Sequence, residues 1–378
     1  MQTYGRTTLS EFLQDNLICR NLQPMDTRLP ALDELRARLR LSSQGVPRKT
    51  SEEYALLLSH LLGHARSLEA PGVTLNRLIY VGDARLNDVT AFNNLCMIAD
   101  WPGAAFICDE NLDEPPHFEI IRQEETRILY ICNRWALLHE FDCYLNTRGF
   151  ETDERTVILL NLEKTALGAR GRNDAVMERA RSAAAFGTVQ ALLGDAFDPQ
   201  AFERAYALFS QPVFRNFIGD SRDSLIYLCL MVSAGVYEAG TLAERIRGGQ
   251  LFRFDQFLRG VDSRRGALSA PVREAHDDFV SRFRGGDPAP FKALRVREYQ
   301  ETVKRMGQME TESPVDAVLA QEIVITQEVR ERASGWHFRG SLLFGVSDRP
   351  DEACLPPVDL VPQGWQPLHR TGTDAVGE

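Results

Sequence analysis

Along the chain, short apolar runs alternate with longer stretches of helical period. Thr156-Val-Ile-Leu-Leu-Asn-Leu-Glu-Lys-Thr165 starts as an apolar, β-prone run and ends abruptly in a polar turn. That pattern predicts a buried parallel strand, and in open α/β sheets ligands bind at the C-terminal strand ends. Arg77–Asp83, Ala104–Cys108 and Gly340–Ser347 read as further strands, and Leu17–Cys19 is strand-like. Tyr54, Leu57, Leu58, Leu61 and Leu62 fall on one face of a helix that Thr50 or Ser51 can cap. Leu9–Leu17, Asp33–Leu41, Val89–Ile98 and Pro314–Arg332 also carry helical spacing, and Arg127–Leu138 is ambiguous, compatible with a strand followed by a helix. The expected core is α/β with a mostly parallel sheet.

From Asp174 to about Met306 the pattern turns helical, with segments at 175–193, 199–209, 225–237 and 272–283 and few strand signals. This predicts an all-helical insertion. The last 28 residues are polar and proline-rich, which predicts a mostly irregular tail that can fold back onto the core.

Composition excludes several classes. The 378 residues are 44% hydrophobic and 25% charged, as in an ordinary globular protein. A formal net charge of −10 argues against nucleic-acid binding through a generic basic surface. The longest apolar segment, Leu225–Tyr237, is too short to span a membrane, and no apolar signal region follows Met1. Seven cysteines, at 19, 96, 108, 132, 143, 229 and 354, form no C-x-x-C pair. Neither a zinc site nor a disulfide framework is expected, and the reading is a reducing cytoplasm. His60 and His64 lie four apart on a helix but no third ligand accompanies them, and His369 reads as structural.

Four polar stretches remain. Three stand at strand ends: Asn161/Glu163/Thr165, Ser347, and Asp83 with Asp88. The fourth is Lys49, just before a helix, with Arg48 beside it as a substitute. Strand alternation puts Asn161 and Glu163 on one side of the turn and Leu162 on the other. Paired carboxylates suit a hard divalent cation, while a lysine and a hydroxyl suit phosphoryl oxygens. Gly168-Ala-Arg-Gly-Arg-Asn-Asp174 reads as a flexible basic loop whose Arg170 and Arg172 are candidates to touch an anionic substrate.

These stretches resemble the motifs of the haloacid-dehalogenase (HAD) superfamily of phosphohydrolases. Leu160-Asn-Leu-Glu-Lys-Thr165 is similar to the first motif, strand then D-x-D-x-T. Leu343-Phe-Gly-Val-Ser-Asp-Arg-Pro350 is similar to the second, a strand ending in Ser or Thr. Val46-Pro-Arg-Lys-Thr-Ser51 resembles the third, a Lys, and Ile79-Tyr-Val-Gly-Asp-Ala-Arg-Leu-Asn-Asp88 the fourth, G-D-x-x-x-(N)-D. Their order here is third, fourth, first, second. The resemblance therefore implies a circularly permuted, Rossmann-like core: residues 1–172 and 313–352, with a helical cap at 173–312 and an irregular tail at 353–378.

The resemblance implies a Mg²⁺ held by Asp83, Asp88 and Asn161. It implies a phosphoryl group held by Lys49 and Ser347, with Thr165 in the same motif, and Glu163 as acid/base. The substrate would be a phosphorylated or anionic small molecule, without nucleic acid or membrane. Asn161, however, occupies the nucleophile position, and an amide cannot readily form the covalent intermediate. It also removes a negative charge, which weakens Mg²⁺ binding. Glu163 is one methylene longer than Asp, and about 1 Å of misplacement costs on the order of 100-fold. The expectation is impaired turnover, with a non-catalytic pseudo-phosphatase that binds or regulates, through a small molecule or a protein partner, as the alternative.

Overall fold

The computed structural model describes every residue except 44, 125, 220 and 311. It divides into two compact units, one of Met1–Arg179 with Thr302–Glu378 and the other of Ala180–Glu301.

The described residues of the first unit contain ten strands: β1 (Gln2–Thr7), β2 (Leu17–Ile18), β3 (Arg77–Gly82), β4 (Gly103–Cys108), β5 (Phe118–Gln123), β6 (Arg127–Cys132), β7 (Thr156–Asn161), β8 (Ile325–Thr326), β9 (Leu342–Val346) and β10 (Thr373–Gly377). Seven form a sheet in the order β2-β9-β7-β3-β4-β6-β5, parallel except for the β5–β6 pair. The fold is thus α/β with a mostly parallel sheet, as the apolar runs predict. All six residues of β7 and of β4 are buried, which explains their continuous rather than alternating hydrophobicity. Helices Glu52–Glu69 and Asn87–Ala99 bury Leu57, Leu58, Leu61, Phe92 and Leu95 against Leu78, Tyr80, Val157 and Phe344. Ser51 caps the first of these helices, its hydroxyl accepting from Tyr54 N.

Pairing of β7 with β9 sets Asn161 opposite Val346, and pairing with β3 sets Leu160 opposite Val81. Three polar strand ends therefore lie side by side at one edge.

Several expectations need correction. The helical unit begins at Ala180 and ends at Glu301, inside the expected 173–312. Asn173 belongs to the first unit because its amide donates to the carbonyls of Leu319 and Glu322 and accepts from Val324 N. The helix expected over Pro314–Arg332 is two helices, Val315–Gln321 and Gln327–Phe338, separated by β8. The β-branched run Ile323-Val-Ile-Thr326 is buried throughout and leaves the helical course. The tail is not wholly irregular. Its last strand, β10, is buried and central in a three-stranded sheet between β1 and β8. Besides β8 and β10, strands β1 and β5 also go unannounced in the sequence, both at sheet edges and both partly exposed. Cys19 and Cys354, 335 residues apart, are joined in a disulfide, where the sequence suggests no disulfide framework.

The second unit, described by itself, packs helices around Phe209, Phe214, Tyr227, Phe254, Phe257 and Phe279. Its buried His276 bridges Tyr227 (2.5 Å from Nδ1) and Asp262 (2.9 Å from Nε2). Both ring nitrogens are thus engaged inside the core. No helix among the described residues is long and apolar enough to cross a membrane.

Candidate functional site

The β9-β7-β3 strand ends bring together Asn161, Glu163, Thr165, Ser347, Asp83 and Asp88, all buried. Lys49 reaches the same point from the segment before the Glu52–Glu69 helix, with its side chain 7% exposed, while Arg48 is exposed. Lys49 is therefore the cation of that pair that enters the site.

Lys49 Nζ donates to Asp88 Oδ1 (2.8 Å) and Asn161 Oδ1 (3.1 Å), and lies 3.5 Å from Asp348 Oδ2. Burial alone would push this ammonium down. The negative charges of Asp348 and Asp88, with the Tyr80 phenol, outweigh burial and hold it well above the usual lysine range. Asp88 is a hub: Oδ1 also accepts from the Tyr80 hydroxyl (2.8 Å), and Oδ2 from the backbone N–H groups of Asp83 and Ala84 (2.9 Å each). Burial would raise its carboxyl, but Lys49 and these donors hold it below the ordinary range.

The Asn161 amide is turned with its nitrogen toward Asp83. Nδ2 donates to Asp83 Oδ1 at 2.7 Å and to the Glu163 carbonyl at 3.0 Å. Thr165 Oγ1 also donates to Asp83 Oδ1 (3.3 Å), and Arg170 Nε donates to Oδ2 (2.6 Å). Burial, with the Asp88 charge nearby, nevertheless raises the Asp83 carboxyl to about 6 against the pull of Arg170 and Lys49.

Glu163 forms a second cluster. Its carboxylate accepts from Ser347 Oγ (2.8 and 3.0 Å) and Asp348 N (3.3 Å), and lies 3.4 Å from Arg349 Nε. Ser347 is thereby committed to Glu163.

The loop 168–174 is anchored rather than flexible. Arg170 N donates to the Lys164 carbonyl, and its own carbonyl accepts from Glu110 N and Trp135 Nε1. Gly171 has φ +78°, and a Cβ there would overlap the Glu110 carbonyl oxygen. Arg172 does not join the site. Its side chain is 1% exposed and ion-paired with Glu110 (2.7 Å) and Glu328 (2.9 Å), so it knits the loop to the fold. His64 is likewise engaged, Nδ1 with the His60 carbonyl and Nε2 with Arg38.

Sequence reasoning passed over three participants, Tyr80, Asp348 and Arg349. Alternation along β3 puts Tyr80 on the same face as Gly82, a signal that was readable. Arg349 stands two residues beyond Ser347 in a turn whose course no periodicity fixes. Gly82 has a steric reason: a Cβ would lie 2.5 Å from Asp88 Oδ2 and 2.8 Å from Tyr80 Cε1. Gly82→Ala is expected to cost about 1–3 kcal/mol in urea melts, as overpacking against a fixed hydrogen-bonded carboxylate does.

The expected Mg²⁺ ligands do not fit a divalent cation as they are arranged here. Both oxygens of Asp88, both of Asp83 and the Asn161 oxygen already accept hydrogen bonds from protein donors. Among the described residues, no group of three or more His, Cys, Asp or Glu side chains is placed to hold a metal. Comparison with protein-family models, curated proteins and solved structures finds no match.

Proposed function

We propose that the chain is a permuted HAD-like scaffold that has given up phosphohydrolase turnover and serves as a binding or regulatory protein. The supporting observation is the hydrogen-bonded chain Asp88–Lys49–Asn161–Asp83, which unites three of the four motif-like stretches around an amide. The adjacency of β9, β7 and β3 adds the second-motif serine beside it.

In a working phosphohydrolase of this kind the residue at 161 would be a free carboxylate nucleophile. Here it is an amide, its nitrogen donating to Asp83 and its oxygen accepting from Lys49. The lone pair that would attack phosphorus is neither anionic nor unoccupied. Glu163, the acid/base position, is tied to Ser347 and paired with Arg349. A protein partner engaged through the helical unit or the tail, and an anionic small molecule, are the ligands this reading leaves for binding assays to separate.

Mg²⁺-dependent phosphate release from a panel of phosphate esters tests the reading. The wild type is expected to release none above a no-enzyme control. Asn161→Asp combined with Glu163→Asp is expected to gain release, because it returns an anionic nucleophile and the shorter acid and replaces the amide donor on Asp83 with a negatively charged metal ligand. Wild-type release that disappears in Asp83→Asn would overturn the proposal.

A further inference from the structure

We infer that Arg170 is a resident counter-ion that takes the electrostatic place of a metal ion at Asp83, and that removing it opens a divalent-cation site. The inference concerns the charge balance at Asp83 and stands whether or not the chain turns over a phosphate ester.

Two observations carry it. First, Asp83 is buried at a strand end, where an isolated carboxylate is costly, and Arg170 Nε sits 2.6 Å from its Oδ2. Second, the arginine is delivered by a built loop. Its own N–H and C=O are both hydrogen-bonded, the next residue must be glycine to clear Glu110, and Arg172 is locked between Glu110 and Glu328. A cation held this way is part of the fold rather than a mobile surface side chain.

With Lys49 on Asp88 and Arg170 on Asp83, each carboxylate of the pair has its own side-chain cation. The Asn161 nitrogen supplies Asp83 with a further donor where a ligand oxygen would be needed. Deleting the Arg170 guanidinium leaves buried Asp83, hydrogen-bonded through its own N–H to Asp88, short of one positive charge. A hard cation with oxygen preference would replace it.

Mn²⁺ binding, read by electron paramagnetic resonance and by calorimetry on the full chain, tests this. The wild type is expected to show no saturable Mn²⁺ site up to millimolar metal. Arg170→Ala is expected to bind Mn²⁺ at least about tenfold more tightly than the wild type, as the loss of a full opposing charge at close range requires. Adding Asp83→Asn to that variant is expected to abolish the gain. Arg170→Gln keeps a hydrogen-bond donor for Asp83 and is expected to behave like Arg170→Ala, which guards against a misfolded truncation; circular dichroism and the melting temperature confirm folding. Arg170→Lys keeps the charge and is expected to stay metal-free. A wild-type Mn²⁺ site lost in Asp83→Asn, or folded Arg170→Ala and Arg170→Gln variants without any gain, overturns the inference.

Discussion

Lys49→Met is expected to destabilise the protein by about 3–5 kcal/mol at pH 8, because it removes one partner of a buried ion pair and strands the other. The Lys49 and Asp88 side chains are 7% and 1% exposed, so water cannot take over the lost contact. Asp88 would keep the Tyr80 hydroxyl and two backbone N–H groups, but no full positive charge at hydrogen-bonding distance. The sign with pH follows from the direction of its shift. The Asp88 carboxyl lies below its unfolded value, so it contributes stability at all pH values above the ordinary aspartate range, and that contribution is lost as pH falls through the folded value. In Lys49→Met the depression disappears, so the penalty is full at pH 8 and shrinks toward pH 4 as Asp88 takes up a proton. Urea melts at pH 8 and pH 4.5 measure this. In an Asp88→Asn background the same substitution is expected to cost at least about 2 kcal/mol less, the coupling of groups in direct contact. Equal costs in the two backgrounds would reduce Lys49 to its packing over the Tyr80 ring, 5.7 Å from the centroid.

The same pair shows what the sequence could and could not disclose about the site. Lys49, Asp83, Asp88, Asn161, Glu163, Thr165 and Ser347 were readable because each stands at the end of an apolar run or beside a helix start, where chain geometry directs side chains to the sheet edge. Their partners were not. Alternation shows that Asn161 faces the site, but not that its nitrogen points to Asp83 and its oxygen to Lys49. That choice is made by charges from segments 78 and 112 residues away. Arg170 and Arg172 look alike in the sequence, two arginines separated by a glycine. The fold sends one to Asp83 and buries the other with Glu328, 156 residues on.

A similar division holds for the fold. β3, β4, β7 and β9 declare themselves because a strand buried on both faces must be apolar throughout. β10 does not, since Thr-Asp-Ala-Val-Gly377 has little apolar content, and its position comes from pairing with β1 and β8 rather than from its own pattern. The disulfide between Cys19 and Cys354 is equally silent in the sequence. It joins the end of β2 to the turn after β9, segments made neighbours only by β2–β9 pairing.

That turn carries the second large expected effect. Asp351→Asn is expected to stabilise the protein by up to about 4 kcal/mol at pH 8 and to change little at pH 4, the span between an ordinary aspartate and a carboxyl near 7. Asp351 is largely buried, its Oδ1 accepts no hydrogen bond, and burial together with the neighbouring Glu352 charge pushes its carboxyl up to about 7. A carboxyl raised on folding means that the folded state holds its proton where the unfolded chain has released it. Stability therefore falls as pH rises from about 4 to about 7, and the full penalty persists above that. Asp83, raised to about 6, adds a slope of the same sign that ends earlier. Subtracting the Asp351→Asn melts from those of the wild type isolates the one contribution, since Asp83 is unchanged in both. An asparagine side chain carries no charge to desolvate, so its curve is expected to be flatter between pH 5 and 7.5. If instead the variant is destabilised by the same amount at both ends, Asp351 is held by a contact its charge does not oppose. Its high carboxyl value would then have no part in the stability of the turn that positions Ser347, Asp348 and Arg349.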